Sequence, residues 1–351
     1  MVVVISKCDV YDVSKIQKVI EDSFSKLAIT FKKNSVFVIK PNLLVASKLE
    51  QAVTTHPAVV EAVCKIITPF AKKIVIGDSS GNETDKTLEV SGMNSLKKYA
   101  DVVNFEVLDK QKVRVRDTDL ELPKILFEAD YIINVAKLKT HILTNATLCT
   151  KNLYGCIPGR MKAILHKEYS GTDNFAKLVV ALKNKINPTI NIVDGILGLE
   201  GNGPGSAGTP KSANTIVVGQ TPLETDIVAC QIMGFKPKEV TTIKHDVSVD
   251  VSVIGKIENL NFKKPNSVVS RLSGLVALFP KPKIVFDEEK CVRCNLCAKK
   301  CPVNALVINK DKPNTWDKSL CVYCMCCVEL CPHDSVHLKK PFVEEMMRKF
   351  V

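Results

Sequence analysis

The sequence predicts an α/β domain with a mainly parallel sheet, followed by a small cysteine-rich domain. Over the first 255 residues, short apolar runs rich in valine and isoleucine alternate with amphipathic stretches, which is the pattern of strands and helices in an α/β fold. Near the end of the chain, eight cysteines fall into two tight groups. These patterns divide the chain into an α/β domain at 1–255, a linker at 256–283, a second domain at 284–340 and a tail at 341–351.

Six apolar runs are predicted to be the strands of the first domain. They are apolar along most of their length instead of alternating with polar residues, as expected of strands that are buried on both faces of a parallel sheet. The predicted strands are Val2–Ser6, Val36–Lys40, Lys73–Gly77, Tyr131–Val135, Ile190–Val193 and Thr215–Gly219. The sequence does not show their order in the sheet.

Amphipathic stretches between these runs are predicted to be helices. The first begins near Ser14, where Gln17 lies at the spacing of a capping box, and the second runs from Pro57, a favoured first helical position, to about Phe70. The other predicted helices are Thr84–Tyr99, Asn174–Ile186 and Leu223–Met233.

The linker contains one apolar stretch, Val268–Phe279, closed by two prolines. It is too short to cross a bilayer, and we expect a short helix packed on one of the domains. A helix lying at a membrane surface is the alternative. A short helical tail is predicted from about Val343.

Composition and charge limit the kinds of partner. The chain has 351 residues, 46% of them hydrophobic, and a formal net charge of +12. Its lysines are spread along the chain without an arginine-rich block or an aromatic–basic pattern, so nucleic acid is not an expected partner. The first residues lack the basic start and long apolar stretch of a signal peptide, and no apolar run is long enough to span a membrane. We therefore expect a cytoplasmic protein.

The two cysteine groups share one spacing. Cys291, Cys294, Cys297 and Cys301 follow C-x2-C-x2-C-x3-C before a proline, and thirty residues later the pattern recurs as an internal duplication with Cys321, Cys324, Cys327 and Cys331. Three cysteines at every third position wrap one iron–sulfur cube. Zinc ribbons instead use two separated C-x2-C pairs, which disfavours zinc. The pattern predicts two [4Fe–4S] clusters.

Residues 284–340 resemble bacterial-type two-cluster ferredoxins, which implies an α+β ferredoxin-like domain. The resemblance also implies that each fourth cysteine binds the other cube. Cluster I would then be held by Cys291, Cys294, Cys297 and Cys331, and cluster II by Cys321, Cys324, Cys327 and Cys301. Cys326 is interpreted as a spare thiol. Two adjacent clusters favour electron transfer with a redox partner protein, and clusters that only stabilise the fold are the alternative.

Polar residues collect where the predicted strands of the first domain end, which is the edge at which open α/β sheets bind ligands. We expect this edge to hold a small anionic ligand, with an unidentified organic or metal cofactor as a further possibility, and a solvated basic face is the alternative. The candidate binding residues are Lys40, Asn42, Asp78, Lys137, Lys151, Asn152 and Gly195. The candidate catalytic residues are His141, His166, Asp194 and Lys139.

Alternation along a strand predicts that Lys137, Lys139 and His141 face one crevice, which Asp194 and His166 should also reach. Histidine is the side chain suited to proton transfer near neutral pH. With Asp78, Asp194 and Glu200, the two histidines could instead hold one zinc, nickel or iron ion. The glycine-rich stretch Asp194–Pro210 contains no nucleotide-binding motif and is predicted to be a mobile lid.

Residues 1–250 resemble the family called "domain of unknown function 362". The resemblance is carried by Lys40-Pro41-Asn42, Gly77-Asp78-Ser79, Lys137-Leu138-Lys139-Thr140-His141, Lys151-Asn152, Pro158-Gly159, His166 and Val193-Asp194-Gly195. The order of the two histidines is also similar to that in nickel-dependent lactate racemase-like proteins.

Three functional hypotheses follow. The chain is an iron–sulfur oxidoreductase whose clusters exchange electrons with a bound small anion. Alternatively, it is a non-enzymatic electron carrier or maturation factor that docks a client protein. The third hypothesis is a metal-dependent isomerase of a small organic acid.

Overall fold

The structure is a computed structural model and describes residues 1–247, 249–266 and 283–339. The predicted linker helix at Val268–Phe279 and the predicted tail at 341–351 lie outside the described residues. Among the described residues, no helix is long and apolar enough to cross a membrane.

The first domain is built on one large mixed sheet that is mostly parallel at its centre. Its strands in chain order are β1 (Val2–Lys7), β2 (Ser35–Pro41), β3 (Ala71–Asp78), β4 (Asp101–Asn104), β7 (Tyr131–His141), β8 (Asn145–Ala146), β9 (Ile190–Gly201), β10 (Gly208–Gly219) and β11 (Ser252–Ile254). The order across the sheet is β11-β1-β10-β9-β7-β2-β3-β4, and β8 pairs with β7. The pairs that join β9, β7, β2, β3 and β4 are all parallel. The expected fold class is confirmed. A separate hairpin consists of β5 (Lys110–Val115) and β6 (Thr118–Pro123).

Helices cover both faces of the sheet. The helices of this domain are α1 (Val13–Lys26), α2 (Pro57–Ile67), α3 (Thr84–Val90), α4 (Ile125–Glu128), α5 (Leu148–Asn152), α6 (Met161–Glu168), α7 (Thr172–Ile186), α8 (Pro222–Ile232) and α9 (Thr241–Lys244). α1 and α2 pack into one apolar cluster, whereas α5, α7 and α8 pack into two others on the opposite face. Successive strand residues contribute to opposite faces, which explains why the strand sequences are apolar throughout.

Two predicted helices differ from the structure for local reasons. Asp12, not a capping box at Ser14, caps α1, because its carboxylate accepts from the backbone N–H of Lys15 at 2.8 Å. The predicted helix Thr84–Tyr99 is two segments, because Gly92 adopts a φ of +73° between α3 and the 3₁₀ turn Met93–Lys98.

Most of the glycine-rich stretch Asp194–Pro210 belongs to the antiparallel hairpin of β9 and β10, and only residues 202–207 form a loop between the strands, so a mobile lid there stays a prediction. The two strands are paired up to Gly201 and Gly208. A Cβ at Gly198 would lie 2.9 Å from the Leu138 carbonyl oxygen, and one at Gly208 would lie 2.6 Å from Leu199 Cγ. These glycines therefore allow neighbouring groups to pack closely against the strands, which is a common role of glycine in a strand.

The second domain is a small α+β unit. It contains β12 (Lys283–Phe286), α10 (Leu296–Lys299), β13 (Leu306–Val307), β14 (Thr315–Trp316), α11 (Cys326–Glu329) and β15 (Val336–Lys339). β12 pairs with β15, and β13 pairs with β14. α10 and α11 occupy equivalent places in the two cysteine repeats, as the duplication predicts.

The second domain packs where the β7 end and the β9–β10 hairpin loop meet. Ser206 in that loop donates a hydrogen bond to the Cys331 carbonyl oxygen at 2.7 Å. Two small apolar clusters join the domains; Ile142 lies in one of them, and Val45 and Val53 lie in the other together with Leu330. The second domain thus covers the edge at which the parallel strands end.

Candidate active site between the two domains

A cavity of about 520 Å³ lies at this edge, between the sheet and the second domain. This volume is within the range of small-molecule sites. Its wall on the first domain carries side chains at or just beyond the carboxyl ends of β2, β3 and β7, together with side chains from α5 and α6. Its wall on the second domain is formed by residues of α10, α11 and the chain near Cys301.

Strand β7 supplies Lys139 and His141, both of which are buried and line the cavity. The Lys139 ammonium donates to the carbonyl oxygens of Val53 at 2.7 Å and Pro204 at 3.3 Å. Burial, reinforced by the nearby Lys151, lowers the pKa of Lys139 well below its usual value.

His141 is held as the tautomer with its proton on Nε2. Its Nδ1 accepts a hydrogen bond from the Leu143 backbone N–H at 3.1 Å, so Nδ1 carries no proton. Its Nε2 lies 3.6 Å from Glu329 Oε1 on the opposite wall. Burial lowers the pKa of His141 well below 6.5, and Lys151 and Lys139 add to the effect. A neutral His141 therefore presents an N–H group to the cavity.

Helix α5 supplies Lys151, whose ammonium group lies over aromatic rings. Its Nζ lies 4.7 Å from the centre of the Tyr154 ring and 5.3 Å from that of Phe175. Within the part of the chain that the structure describes, Lys151 makes no ion pair, although only 9% of it is exposed. Burial lowers its pKa. A buried cation held mainly by aromatic faces is poised to accept an anion.

Helix α6 supplies His166 and Lys162. The His166 ring stacks on Phe175 with centroids 4.3 Å apart, and burial followed by the charge of Lys151 lowers its pKa to about 3. Lys162 donates to the Ser79 hydroxyl at 2.6 Å and to the Ser80 carbonyl oxygen at 3.0 Å. Burial lowers the pKa of Lys162 to about 8. Arg160 lines the exposed side of the cavity.

Glu329 on α11 completes the site from the second domain, and sequence reasoning missed it. Its Oε1 is buried and accepts no hydrogen bond within the described residues. Burial raises the pKa of Glu329 to about 7, and Lys151 and Lys139 oppose the shift. A comparison of the two repeats could have pointed to Glu329, because this acidic residue occupies the place of the basic Lys299 in the first repeat.

Four of the predicted residues do not line the cavity: Lys40, Lys137, Asp194 and Gly195. Lys137 Nζ and Asp194 Oδ2 form a buried ion pair at 2.8 Å, and neither residue lines the cavity. The Tyr11 hydroxyl bridges the two residues of the pair. It accepts a hydrogen bond from Lys137 and donates one to Asp194, each with a length of 2.9 Å. Gly195 packs against Thr215 of β10. Lys139, His141 and His166 are therefore together, and Asp194 is apart from them.

Residues at the carboxyl ends of β2 and β3 form a second buried network. Lys40 Nζ pairs with Asp78 Oδ2 at 2.8 Å, and burial raises the pKa of Asp78 although Lys40 opposes the shift. Asn152 accepts from Asn42 at 2.8 Å and donates to Asn134 at 2.7 Å. Asp78, Asn42 and Asn152 line the cavity.

The residues considered for a single metal ion are dispersed. Glu200 pairs with Lys211 at 3.0 Å, away from the cavity, while Asp78 and Asp194 are paired with lysines. Across residues 1–247, 249–266 and 283–339, no three histidine, cysteine or acidic side chains are grouped around a point that one ion could occupy.

Two smaller cavities in the second domain are lined by the eight cysteines of the repeated pattern, four in each, and Cys326 also lines the second of them. The first is lined by Cys291, Cys294, Cys297 and Cys331, and the second by Cys301, Cys321, Cys324 and Cys327. Each set therefore combines three cysteines of one repeat with the fourth of the other.

Hydrogen-bond donors also point at the cysteine sulfurs. The backbone N–H groups of Ala305 and Ser335 lie 3.2 and 3.3 Å from Cys301 Sγ and Cys331 Sγ. The Asn314 amide donates to Cys297 Sγ at 3.3 Å. Such donors stabilise thiolates that bind iron–sulfur clusters, so the residues present fit a [4Fe–4S] cube in each cavity.

The cavity of the second cysteine set shares a wall with the large cavity. Cys301, Pro302 and Cys326 line both of them. None of the residues around the first cysteine set lines the large cavity. The fold and site together define an iron–sulfur protein in which one cluster position adjoins a basic pocket of an α/β domain.

Comparison with known proteins agrees with this class. Residues 37–231 match the family described as domain of unknown function (DUF362), and the chain belongs to that family. Residues 284–307 and 314–337 match the 4Fe-4S binding domain, and the chain carries two [4Fe–4S] clusters. A curated relative is the "Thylakoid-associated protein sll1697" of Synechocystis sp. (strain ATCC 27184 / PCC 6803 / Kazusa). It is 31% identical over 210 residues, which are 59% of this chain and 65% of that protein. The chain thus spans slightly less than two thirds of that relative.

Proposed function

We propose that this chain is an iron–sulfur oxidoreductase that binds a small organic anion between its domains and exchanges electrons with it. The observation that carries the proposal is the wall shared by the large cavity and the second cysteine set, formed by Cys301, Pro302 and Cys326. A ligand in the large cavity would be separated from the second cysteine set by that wall alone.

The charges around the cavity favour an anionic ligand. Lys139, Lys151 and Lys162 contribute cationic groups, and Arg160 adds a fourth on the exposed side. The carboxylates among the lining residues are Asp78, which is already paired with Lys40, and Glu329. A carboxylate or phosphate on the ligand would offset the remaining positive charge.

The apolar part of the lining favours an organic body on that anion. Leu43, Ile164 and Leu330 contribute aliphatic surface to the same cavity, and Tyr154 contributes an aromatic ring. Pockets that bind organic molecules combine such surface with a few polar groups that orient the ligand. We therefore expect a compound with one or two acidic groups and an apolar or unsaturated part.

His141 supports binding of the anion because its Nε2–H faces the cavity and can donate a hydrogen bond to a ligand oxygen. A two-electron reduction of the ligand would consume one electron from each cluster and two protons. Both protons would come from solvent, because the neutral His141 imidazole is not an acid near neutral pH. A one-electron donor protein must then restore both electrons. A cytoplasmic site of action remains part of this proposal.

The test is anaerobic purification of the full chain, followed by mass spectrometry of the small molecules released on denaturation. We expect an organic anion to co-purify with the wild type and with Lys167→Met, whose target is an exposed residue of the same helix as His166. We expect Lys151→Met to lose it, while iron and sulfide stay at about eight each per chain.

Two outcomes would contradict the proposal. Iron and sulfide without any organic anion would favour the carrier or maturation factor that docks a client protein. Equal retention of the anion by Lys151→Met and Lys167→Met would show that the basic cavity is not its binding site.

A further inference from the structure

The two cysteine loops are equivalent in sequence but differ in exposure. In the first repeat Cys294 is exposed and the neighbouring Val292 is 56% exposed. In the second repeat the equivalent Cys324 is half-buried, and so is Val322. One loop therefore meets solvent, whereas the other is largely covered.

Side-chain replacements between the repeats match this difference. Lys299 and Lys300 of the first repeat are replaced by Glu329 and Leu330 in the second, and both replacements are buried against the first domain. Gly81 accommodates Leu330, because a Cβ at Gly81 would lie 2.3 Å from Leu330 Cδ2. The second repeat is thus adapted to an internal contact.

We propose that electrons enter this protein at the loop Cys291–Asn295, where a one-electron carrier protein docks. The loop around Cys321–Cys324 serves the internal pocket instead. Electrons then pass from the exposed repeat to the covered one. This inference goes beyond the proposed function, because it depends on the two cysteine loops and not on a ligand in the large cavity.

The entry loop fits a carrier with an apolar contact centre and an acidic rim. Val292 offers an exposed apolar side chain beside Cys294, and the exposed Arg293 offers a cation between them. Protein interfaces combine an apolar core with complementary charge at the rim, which governs the rate of association. In each encounter the carrier is oxidised by one electron and the second domain is reduced by one electron.

The experiment follows bleaching of the visible cluster absorbance in the full holoprotein after rapid mixing with a reduced bacterial two-[4Fe–4S] ferredoxin. Val292→Asp should slow the second-order rate by about tenfold, since it places a charge in the contact centre. Val307→Asp is the matched control, because Val307 is 55% exposed and lines none of the three cavities. It should change the rate less than about twofold. Dithionite, a small reductant, should bleach all three proteins equally.

Equal rates for Val292→Asp and Val307→Asp would overturn the inference. A second pair of variants tests the direction of transfer. Cys324→Ser should still accept electrons from the ferredoxin, whereas Cys294→Ser should accept them slowly although dithionite reduces its remaining cluster. Fast reduction of Cys294→Ser by the ferredoxin would also overturn the inference. Electron paramagnetic resonance shows which cluster each variant retains.

Discussion

At the scale of single residues, this protein buries charged groups that have different partners. Asp226 on α8 is fully buried and accepts hydrogen bonds from the backbone N–H groups of Cys149 at 2.6 Å and Thr150 at 2.9 Å. Burial raises the pKa of Asp226 to about 7, and these donors only partly oppose the shift. It anchors the first turn of α5, the helix that carries Lys151.

The raised pKa of the Asp226 carboxyl should make the free energy of unfolding depend on pH. Its pKa is higher in the folded state than in the unfolded chain, so the folded state holds a proton that the unfolded chain has released between about pH 4 and pH 7. Its contribution to stability is therefore complete below that range and is lost as the pH rises. Between about pH 5.5 and about pH 7.5 the loss amounts to about 2 kcal/mol.

Asp226→Asn removes this titration. Urea unfolding of both proteins should show that the stability of wild type relative to Asp226→Asn falls by about 2 kcal/mol across that range. Comparing the two proteins cancels other titrating groups, such as His166. A difference that does not change with pH would contradict the predicted protonation of Asp226.

Sequence reasoning found site residues where a strand carries them and missed those that only folding brings close. Alternation along one strand predicted that Lys137, Lys139 and His141 face the same cavity. It was right for Lys139 and His141 but wrong for Lys137, because the strand pairing shifts register between Lys137 and Lys139. Glu329 lies nearly two hundred residues further along the chain, in the other domain. Only the packing of α11 on the strand edge brings it within 3.6 Å of His141.

At the scale of elements, strand lengths and order depended on partners that the sequence pattern does not reveal. The apolar run predicted only Tyr131–Val135, but β7 continues to His141 because the polar residues beyond it find buried partners. Lys137, for example, pairs with Asp194 on β9. The sheet order places β10 next to β9 and β1 next to β10, and both of these pairs are antiparallel, which periodicity cannot distinguish from parallel pairing.

In the loop between β9 and β10, the methyl group added by a glycine-to-alanine substitution should destabilise the packing of the two domains. A Cβ at Gly205 would lie 2.5 Å from the backbone carbonyl oxygen of Glu329, which cannot move aside as a flexible side chain could. Gly205 has no positive φ, so alanine is allowed there by the local backbone. Gly205→Ala should destabilise the packing of the two domains by about 1–3 kcal/mol.

Loss of visible cluster absorbance during denaturant titration measures this effect. Ala207→Ser, a change in the same loop at a partly exposed position, is the control and should behave as wild type. Equal midpoints for Gly205→Ala and Ala207→Ser would show that the hairpin loop does not hold the second domain in place.

At the scale of the whole molecule, the first domain has an apolar core of its own. The three large core clusters contain only residues between Val2 and Phe262. Contacts with the second domain involve the smaller clusters around Ile142 and around Val45 and Val53. The large cavity, in contrast, needs both domains, since Glu329 and Cys301 complete its wall.

A fragment of residues 1–266 should therefore fold but lose the site. Its unfolding in urea should be cooperative, because all the residues of the three large clusters are present. It should be less stable than the full chain, because Val45, Val53 and Ile142 lose their apolar partners, at a cost of about 1 kcal/mol or more for each side chain. Without the second domain, Val45, Val53 and Ile142 would form an exposed apolar patch. Ile142→Thr should limit association of fragments through that patch, so this variant is a control for aggregation. A fragment that shows no cooperative transition in either form would mean that the core is shared by both domains. A cooperative fragment that still retains the co-purifying anion would mean that the second domain is not needed to bind it.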